Sequence, residues 1–253
     1  MITEKFVRKE VLPILVSAAF DKSEHPMVRM SAIQMLVYCS AADEAIYQQL
    51  AMNTWSESSE EVHSFIWSTL NNLAQLDKPL TVDHFVMKMK SLSVLSLCKP
   101  FEGGYGKSQN MFTTGFAEKL TSGFLQQTSW FGSADSTFPM NFYTRSYVQF
   151  GSGGMGVNPW EMSLSARTFN KFAYALMEKM QSSAEESEQE KGHPEVQEIR
   201  SLLGIKTRDT QGTPQATLFF NMRNEFQRMF ELNLDDVERY LACKHIFQKT
   251  VFR

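Results

Sequence analysis

Cysteine is scarce: 253 residues contain three, Cys39, Cys98 and Cys243, and no CxxC pair. An odd number at such spacings encodes neither a disulfide framework nor a zinc finger. A Cys39–Cys98 bridge and three buried free thiols both stay open. No apolar run is long enough to cross a bilayer, so no transmembrane segment is expected. The start, Met1-Ile2-Thr3-Glu4-Lys5-Phe6, lacks the apolar stretch and small-residue cleavage site of a leader, which predicts no signal peptide in this chain. No Asn-x-Ser/Thr acceptor occurs. Nor is there a basic block: Lys and Arg total 25 against 28 Asp and Glu, and this balance argues against nucleic acid as a partner.

Catalytic signatures are equally sparse. His25, His63, His84, His193 and His245 show no HExxH or paired-ligand spacing, and Cys243-Lys-His245 is a lone Cys-x-His. Asp235-Asp236 and Glu60-Glu61 are most simply helix N-terminal carboxylates that favour the dipole. Gly151-Ser-Gly-Gly-Met-Gly156 formally fits G-x-G-x-x-G, but a dinucleotide fingerprint must open a helix whose N-terminus meets the pyrophosphate. Pro159 and an alternating stretch come next instead, so the glycines are expected to serve a hairpin turn. No enzyme, metal or cofactor is expected.

Phe, at 20, and Met, at 15, are abundant, and both side chains suit adaptable apolar surfaces as well as ordinary cores. Their spacing divides the chain. Up to residue 99 the period is helical. Val11, Ile14, Leu15 and Ala18 share a face, as do Val28, Ala32, Met35, Leu36 and Cys39 after Pro26, a good first-turn residue. Ile46, Tyr47, Leu50 and Ala51 come after Asp43, and Val62, Phe65, Ile66, Leu70 and Leu73 after a capping box from Ser58 to Glu61. Val86, Met89, Leu92 or Ser93, and Leu97 form a last face. Short helices joined by short polar turns pack as antiparallel hairpins, so residues 1–99 are predicted to be a solenoid-like helical scaffold without strands.

After Lys99-Pro100 the turn-rich Phe101-Glu-Gly-Gly-Tyr-Gly opens a second region, 100–253, whose pattern alternates. Phe116, Leu120, Phe124 and Trp130-Phe131 predict two strands. Phe138, Met140, Phe142, Val148 and Phe150 oppose Asn141, Tyr143, Arg145, Tyr147 and Gln149 on a long third strand. Trp160, Met162 and Leu164 alternate with Glu161, Ser163 and Ser165 on its hairpin partner. A helix is predicted near 169–182, packed on the sheet, with an acidic loop near 183–194. One last strand carries Ala216, Leu218, Phe220, Met222, Phe226 and Phe230, before a helix around Asp235 to Leu241. The fold class is therefore α+β, a helical hairpin stack leading into a mainly antiparallel amphipathic sheet.

Pro26-Met-Val-Arg-Met-Ser-Ala-Ile-Gln-Met-Leu36, continuing through Ser58-Ser-Glu-Glu-Val-His-Ser-Phe-Ile-Trp-Ser-Thr-Leu70, resembles the end of the helical domain of vitellogenins. Gly132-Ser-Ala-Asp-Ser-Thr-Phe-Pro139, the strand after it, and Trp160-Glu-Met-Ser-Leu entering the Phe169 region resemble the start of their lipid-cavity sheets. The order matches over most of the chain. The resemblance implies a large lipid transfer protein, secreted in its full-length form, that stores and transports phospholipid or neutral lipid without covalent chemistry. The family's N-terminal barrel, later sheets, serine-rich region and von Willebrand type D domain have no counterpart here. That implies a partial chain whose partners are lipids and, with them, the remaining domains of a longer parent. The lipid-facing positions it implies are Phe138, Met140, Phe142, Val148, Phe150, Trp160, Met162, Leu164, Leu218, Phe220, Met222 and Phe226. The alternative reading is a helical-repeat scaffold that binds a protein and no lipid.

Overall fold

The computed structural model describes residues 4–39, 42–103, 108–117, 119, 122–133, 136–149, 157–166, 215–222 and 226–233. The first part is helical throughout: α1 (Glu4–Phe6), a π-helical stretch (Val7–Val11), α2 (Leu12–Phe20), α3 (Pro26–Tyr38), α4 (Glu44–Ser56), α5 (Glu60–Ala74), α6 (Val82–Val94) and a 3₁₀ turn (Leu95–Leu97). Local chemistry sets the starts. Pro26 opens α3, where the His25 side chain accepts from the Met27 N–H; Asp43 accepts from Ile46 and Thr81 from His84. The cap of α5 is Ser59, accepting from Val62, one residue later than the predicted capping box. Glu61 is not drawn back to the helix start because its carboxylate is engaged at the sheet.

The buried faces of α4 and α5 are those the spacing predicts: Ile46, Tyr47, Leu50 and Ala51, then Val62, Phe65, Ile66, Leu70 and Leu73. Three faces differ. In α2, Ile14 is exposed. In α3 the buried residues are Arg29, Met30, Ala32, Ile33, Leu36 and Val37, whereas Val28 and Met35 are exposed. In α6, Val86, Met89 and Leu92 lie exposed with Val82 and Phe85, as does Leu97 in the 3₁₀ turn after it, and the buried side is His84, Met87, Ser91 and Val94. The inward side is the one that meets the sheet, where His84 packs edge-on to Tyr147, and the more apolar stripe is left outside. Cys39 and Cys98 are both free thiols, Cys98 buried and Cys39 only half-buried, so there is no bridge between them.

The second part is one antiparallel six-stranded meander in chain order: β1 (Gln109–Ala117), β2 (Ser122–Ser133), β3 (Ser136–Gln149), β4 (Val157–Ala166), β5 (Gln215–Met222) and β6 (Phe226–Asn233). The single predicted last strand is two, with Met222 paired to Phe226 across residues 223–225. The predicted helices near 169–182 and 235–241 and the acidic loop near 183–194 lie outside the described residues, as do Gly151 to Gly156. The next element after those glycines is β4, a strand, so no helix N-terminus stands there to receive a phosphate.

The helical layer lies against β1, β2 and β3. Phe131 stacks on Phe65 with ring centroids 5.2 Å apart, and Leu125 packs with Leu76 and Leu80. Between these apolar contacts runs a buried polar seam. The Glu61 carboxylate accepts from the Ser108 N–H and hydroxyl at 2.8 and 2.6 Å, and that hydroxyl oxygen accepts from the Gly132 N–H at 2.7 Å. Ser68 Oγ accepts from the Asn110 N–H at 3.0 Å, and Asn72 donates to the Asn110 carbonyl at 2.8 Å. A buried seam of this kind fixes register, because any slip leaves these groups without partners.

Candidate functional site

The sheet's two faces are chemically distinct, and the register fixes which residues share each. One row across the sheet is Gln109, Trp130, Phe142, Leu164, Leu218 and Phe230; the next is Met111, Thr128, Thr144, Met162, Phe220 and Arg228. A further row brings Phe124 opposite Val148 and Val148 opposite Val157. On the other face stand Phe112, Leu125, Gln127, Ser129, Phe131, Tyr143, Arg145 and Tyr147. These are the residues that meet the helices, through the Phe65, Leu76 and Leu80 contacts and through Tyr38 and His84.

The helices therefore cover the face that reads as polar in β3. They do so because tyrosine and arginine bring broad apolar bodies with a polar tip. Arg145 lies over the Tyr38 and Tyr147 rings at 5.7 and 5.0 Å, and His84 meets Tyr147 edge-on at 4.7 Å. Burial pushes the His84 imidazole down to about 4, with Asp83 opposing that shift and Arg145 adding to it. Burial likewise pushes the Cys98 thiol up to about 11, far from a reactive thiolate.

The apolar face is turned away from this helical layer. Of the twelve predicted positions, Met140, Phe142, Val148, Met162, Leu218 and Phe220 are partly exposed. Register brings Phe142 beside Leu164 and Leu164 beside Leu218, and sets Met162 between Thr144 and Phe220. Met222 pairs with Phe226 at the far hairpin, Trp160 lies opposite Ser146, Phe138 lies on β3, and Phe150 falls outside the described residues. The face also carries Met111 and Phe124, both exposed, and Trp130. Alternation within β1 and β2 was the available signal for them. Thr128, Thr144 and Ser146 interrupt the apolar surface near its middle, where Thr144 satisfies its hydroxyl by donating to the Gln127 carbonyl at 3.0 Å.

Known proteins share the same two-part order. Residues 4–71 match the vitellogenin TPR domain, and residues 106–250 match the vitellinogen open β-sheet. No curated protein sequence matches the chain. A solved structure described as lipid–protein interactions in lipovitellin shares the fold at a TM-score of 0.60 with 14% identity, over 94% of this chain. The chain spans 21% of the length of that lipovitellin chain. With the open β-sheet matched over more than half of its residues and the helical region matched ahead of it, the chain belongs to the vitellogenin family.

Proposed function

We propose that this chain carries lipid on the face of its sheet that lies opposite the helices, as part of an extracellular nutrient-storage and lipid-transport protein. The lipid-facing positions of this reading are Phe138, Met140, Phe142, Val148, Phe150, Trp160, Met162, Leu164, Leu218, Phe220, Met222 and Phe226. The observation that carries it is the packing of the helices on the Tyr143, Arg145 and Tyr147 side, which leaves the Phe142 side uncovered by them. Lipid, as phospholipid or neutral lipid, is then held by apolar contact alone, with no covalent step and no cofactor. At about 25 cal/mol per Å², covering several hundred Å² of such surface is worth on the order of 10 kcal/mol before association costs.

A charge in that surface opposes lipid directly. Phe142→Asp with Phe220→Asp is expected to weaken binding of a fluorescent phospholipid at least tenfold while the helical circular dichroism of the native chain is kept. If the native chain binds none, or if the doubly substituted chain binds as well as the native one, the reading fails. The exposed stripe of Phe85, Met89 and Leu92 on α6 favours a second reading, a surface for a protein partner or a neighbouring domain of a longer parent.

A further inference from the structure

β1 is an edge of the sheet, and the bonding of its backbone shows which residues face outward. The Asn110 N–H donates to Ser68 Oγ at 3.0 Å and the Asn110 carbonyl accepts from the Asn72 amide at 2.8 Å, so both main-chain groups of this residue point away from β2 and toward α5. In an antiparallel ladder the two main-chain groups of one residue point the same way, and the direction alternates along the strand. Met111, Thr113 and Gly115 therefore bond to Thr128, Gln126 and Phe124 on β2, whereas Phe112, Thr114 and Phe116 each present an N–H and a carbonyl to the outside. Among the described residues none bonds to these outward groups. α5 caps the edge at Asn110 and leaves it open beyond.

Edge strands of soluble proteins are guarded by charge, proline or a bulge, because a bare row of main-chain groups is a template for another strand. β6, the opposite edge, carries Arg228 and Glu231. β1 has no such guard: Gln-Asn-Met-Phe-Thr-Thr-Gly-Phe-Ala contains no charged residue and no proline, and it pairs with β2 without a register shift. On the open face the Phe124 ring lies across Gly115, where an added Cβ would fall 2.3 Å from it, and so extends an apolar shelf toward the edge.

Main-chain donors and acceptors that repeat every second residue, about 6.8 Å, match an extended polypeptide and no small ligand. A second copy of this chain fits poorly, because α5 and the segment after it run along β1. Ser68 and Asn72 meet Asn110, Leu76 packs with Leu125 opposite Thr114, and Lys78 lies 5.2 Å over the Phe116 ring. A paired copy would bring its own α5 onto this one. The strand's side chains along the open stretch, from Phe112 to Phe116, are uncharged, and cross-strand pairing then favours uncharged β-branched or aromatic partners. We propose that the β1 edge from Phe112 to Phe116 takes up one extended, uncharged segment of another polypeptide as an added antiparallel strand. The site depends on main-chain geometry and is independent of the lipid reading.

The test is residue-resolved amide hydrogen exchange on the 253-residue chain, with and without the peptide acetyl-Thr-Val-Thr-Phe-Thr-Val-Thr-amide. A peptide with proline at the three central positions, which cannot join a ladder, is the control. In the free chain the N–H groups of Phe112, Thr114 and Phe116 should exchange at least about tenfold faster than those of Met111, Thr113 and Gly115. Saturating peptide should slow the first set about tenfold, and the proline peptide should not. Thr114→Pro removes an outward donor that β2 does not use, so the sheet is kept while the peptide binds about tenfold more weakly. Thr113→Pro breaks a rung to β2 and should lower the thermal midpoint instead. If Thr114→Pro does not fold, the exchange pattern of the native chain decides alone. The reverse pattern of fast and slow amides, no protection by the peptide, or equal protection by the proline peptide would each overturn the proposal, as would native affinity in a folded Thr114→Pro chain. Protection of the same amides by raised chain concentration without peptide would also overturn it, since the occupant is then a second copy.

Discussion

Arg29→Met is expected to destabilise the helical layer by about 3–5 kcal/mol, lowering the thermal midpoint by roughly 10 °C. Arg29 sits in the first turn of α3 and is 2% exposed, and its guanidinium meets the fully buried Glu57 carboxylate in a two-pronged pair at 3.0 and 2.5 Å. Glu57 also accepts from the Ser59 N–H and the Asn53 amide, each at 3.0 Å, and Arg29 Nε donates to the Ala19 carbonyl at 3.3 Å. The pair thus ties the end of α2, the start of α3 and the α4–α5 turn together. Removing the cation leaves a buried carboxylate without its main partner. Arg29→Met combined with Glu57→Leu should recover most of the loss, because two apolar side chains remove the desolvation cost on both sides. Urea denaturation of the two variants checks this, and equal destabilisation by both would refute it.

The same pair has an acid limit. Burial raises the Glu57 carboxyl, but the hydrogen bonds from Arg29 and Ser59 outweigh burial and hold it below its usual 4.5. Its contribution is therefore complete at neutral pH and is lost as pH falls below about 4.5 and through the folded value.

The physics of each element decides how much of this was legible in the sequence. The faces of α4 and α5 could be read because their apolar residues fall on one side only. In α3 and α6 apolar residues fall on more than one side, and the choice between sides is made by the partner surface. The side chosen includes Arg29 in α3, and His84 and Ser91 in α6. Hydropathy has no means of ranking a buried arginine whose partner stands 28 residues away. In the sheet, alternation gave the two faces of β3 and β4 correctly. The turn between β5 and β6 was missed because residues 223–225, Arg-Asn-Glu, contain no Gly or Pro, and because pairing Met222 with Phe226 preserves even parity across the turn.

Which face the helices cover was not legible at all. Tyr143, Arg145 and Tyr147 read as a solvated face by polarity, yet each can bury a broad side chain and keep a hydrogen-bonding or charged tip. The apolar face had the stronger claim to a helical cover on hydropathy alone. That reversal turns the better apolar surface away from the helices among the described residues, and the lipid proposal rests on it.

The joint between α6 and the sheet is expected to weaken in acid by about 3 kcal/mol, through His84. This imidazole is 3% exposed, lies edge-on to Tyr147, and has no partner for Nδ1 among the described residues. Burial lowers it from 6.5 to about 4 in the folded chain. Between those values the unfolded chain binds a proton that the folded chain refuses, so stability is complete above about 6.5, falls as pH drops, and reaches its floor below about 4. At about 1.4 kcal/mol per pH step, that interval gives the stated total, with about 2 kcal/mol already lost at pH 5. The charged groups around it are Asp83 beside it on α6, Arg145 on β3, and Lys90, which lines a cavity with His84 and donates to the Ala42 carbonyl. Asp83 opposes the effect and Arg145 enhances it. His84→Phe keeps an aromatic edge against Tyr147 and removes the proton. Urea denaturation at pH 7 and pH 5 should show the native chain losing about 2 kcal/mol more than His84→Phe over that interval. Fluorescence on the sheet side and helical circular dichroism should then separate into two transitions in the native chain at pH 5, since the proton enters where the two layers meet. Equal losses in the two proteins would place the acid sensitivity elsewhere and leave His84 a packing residue only.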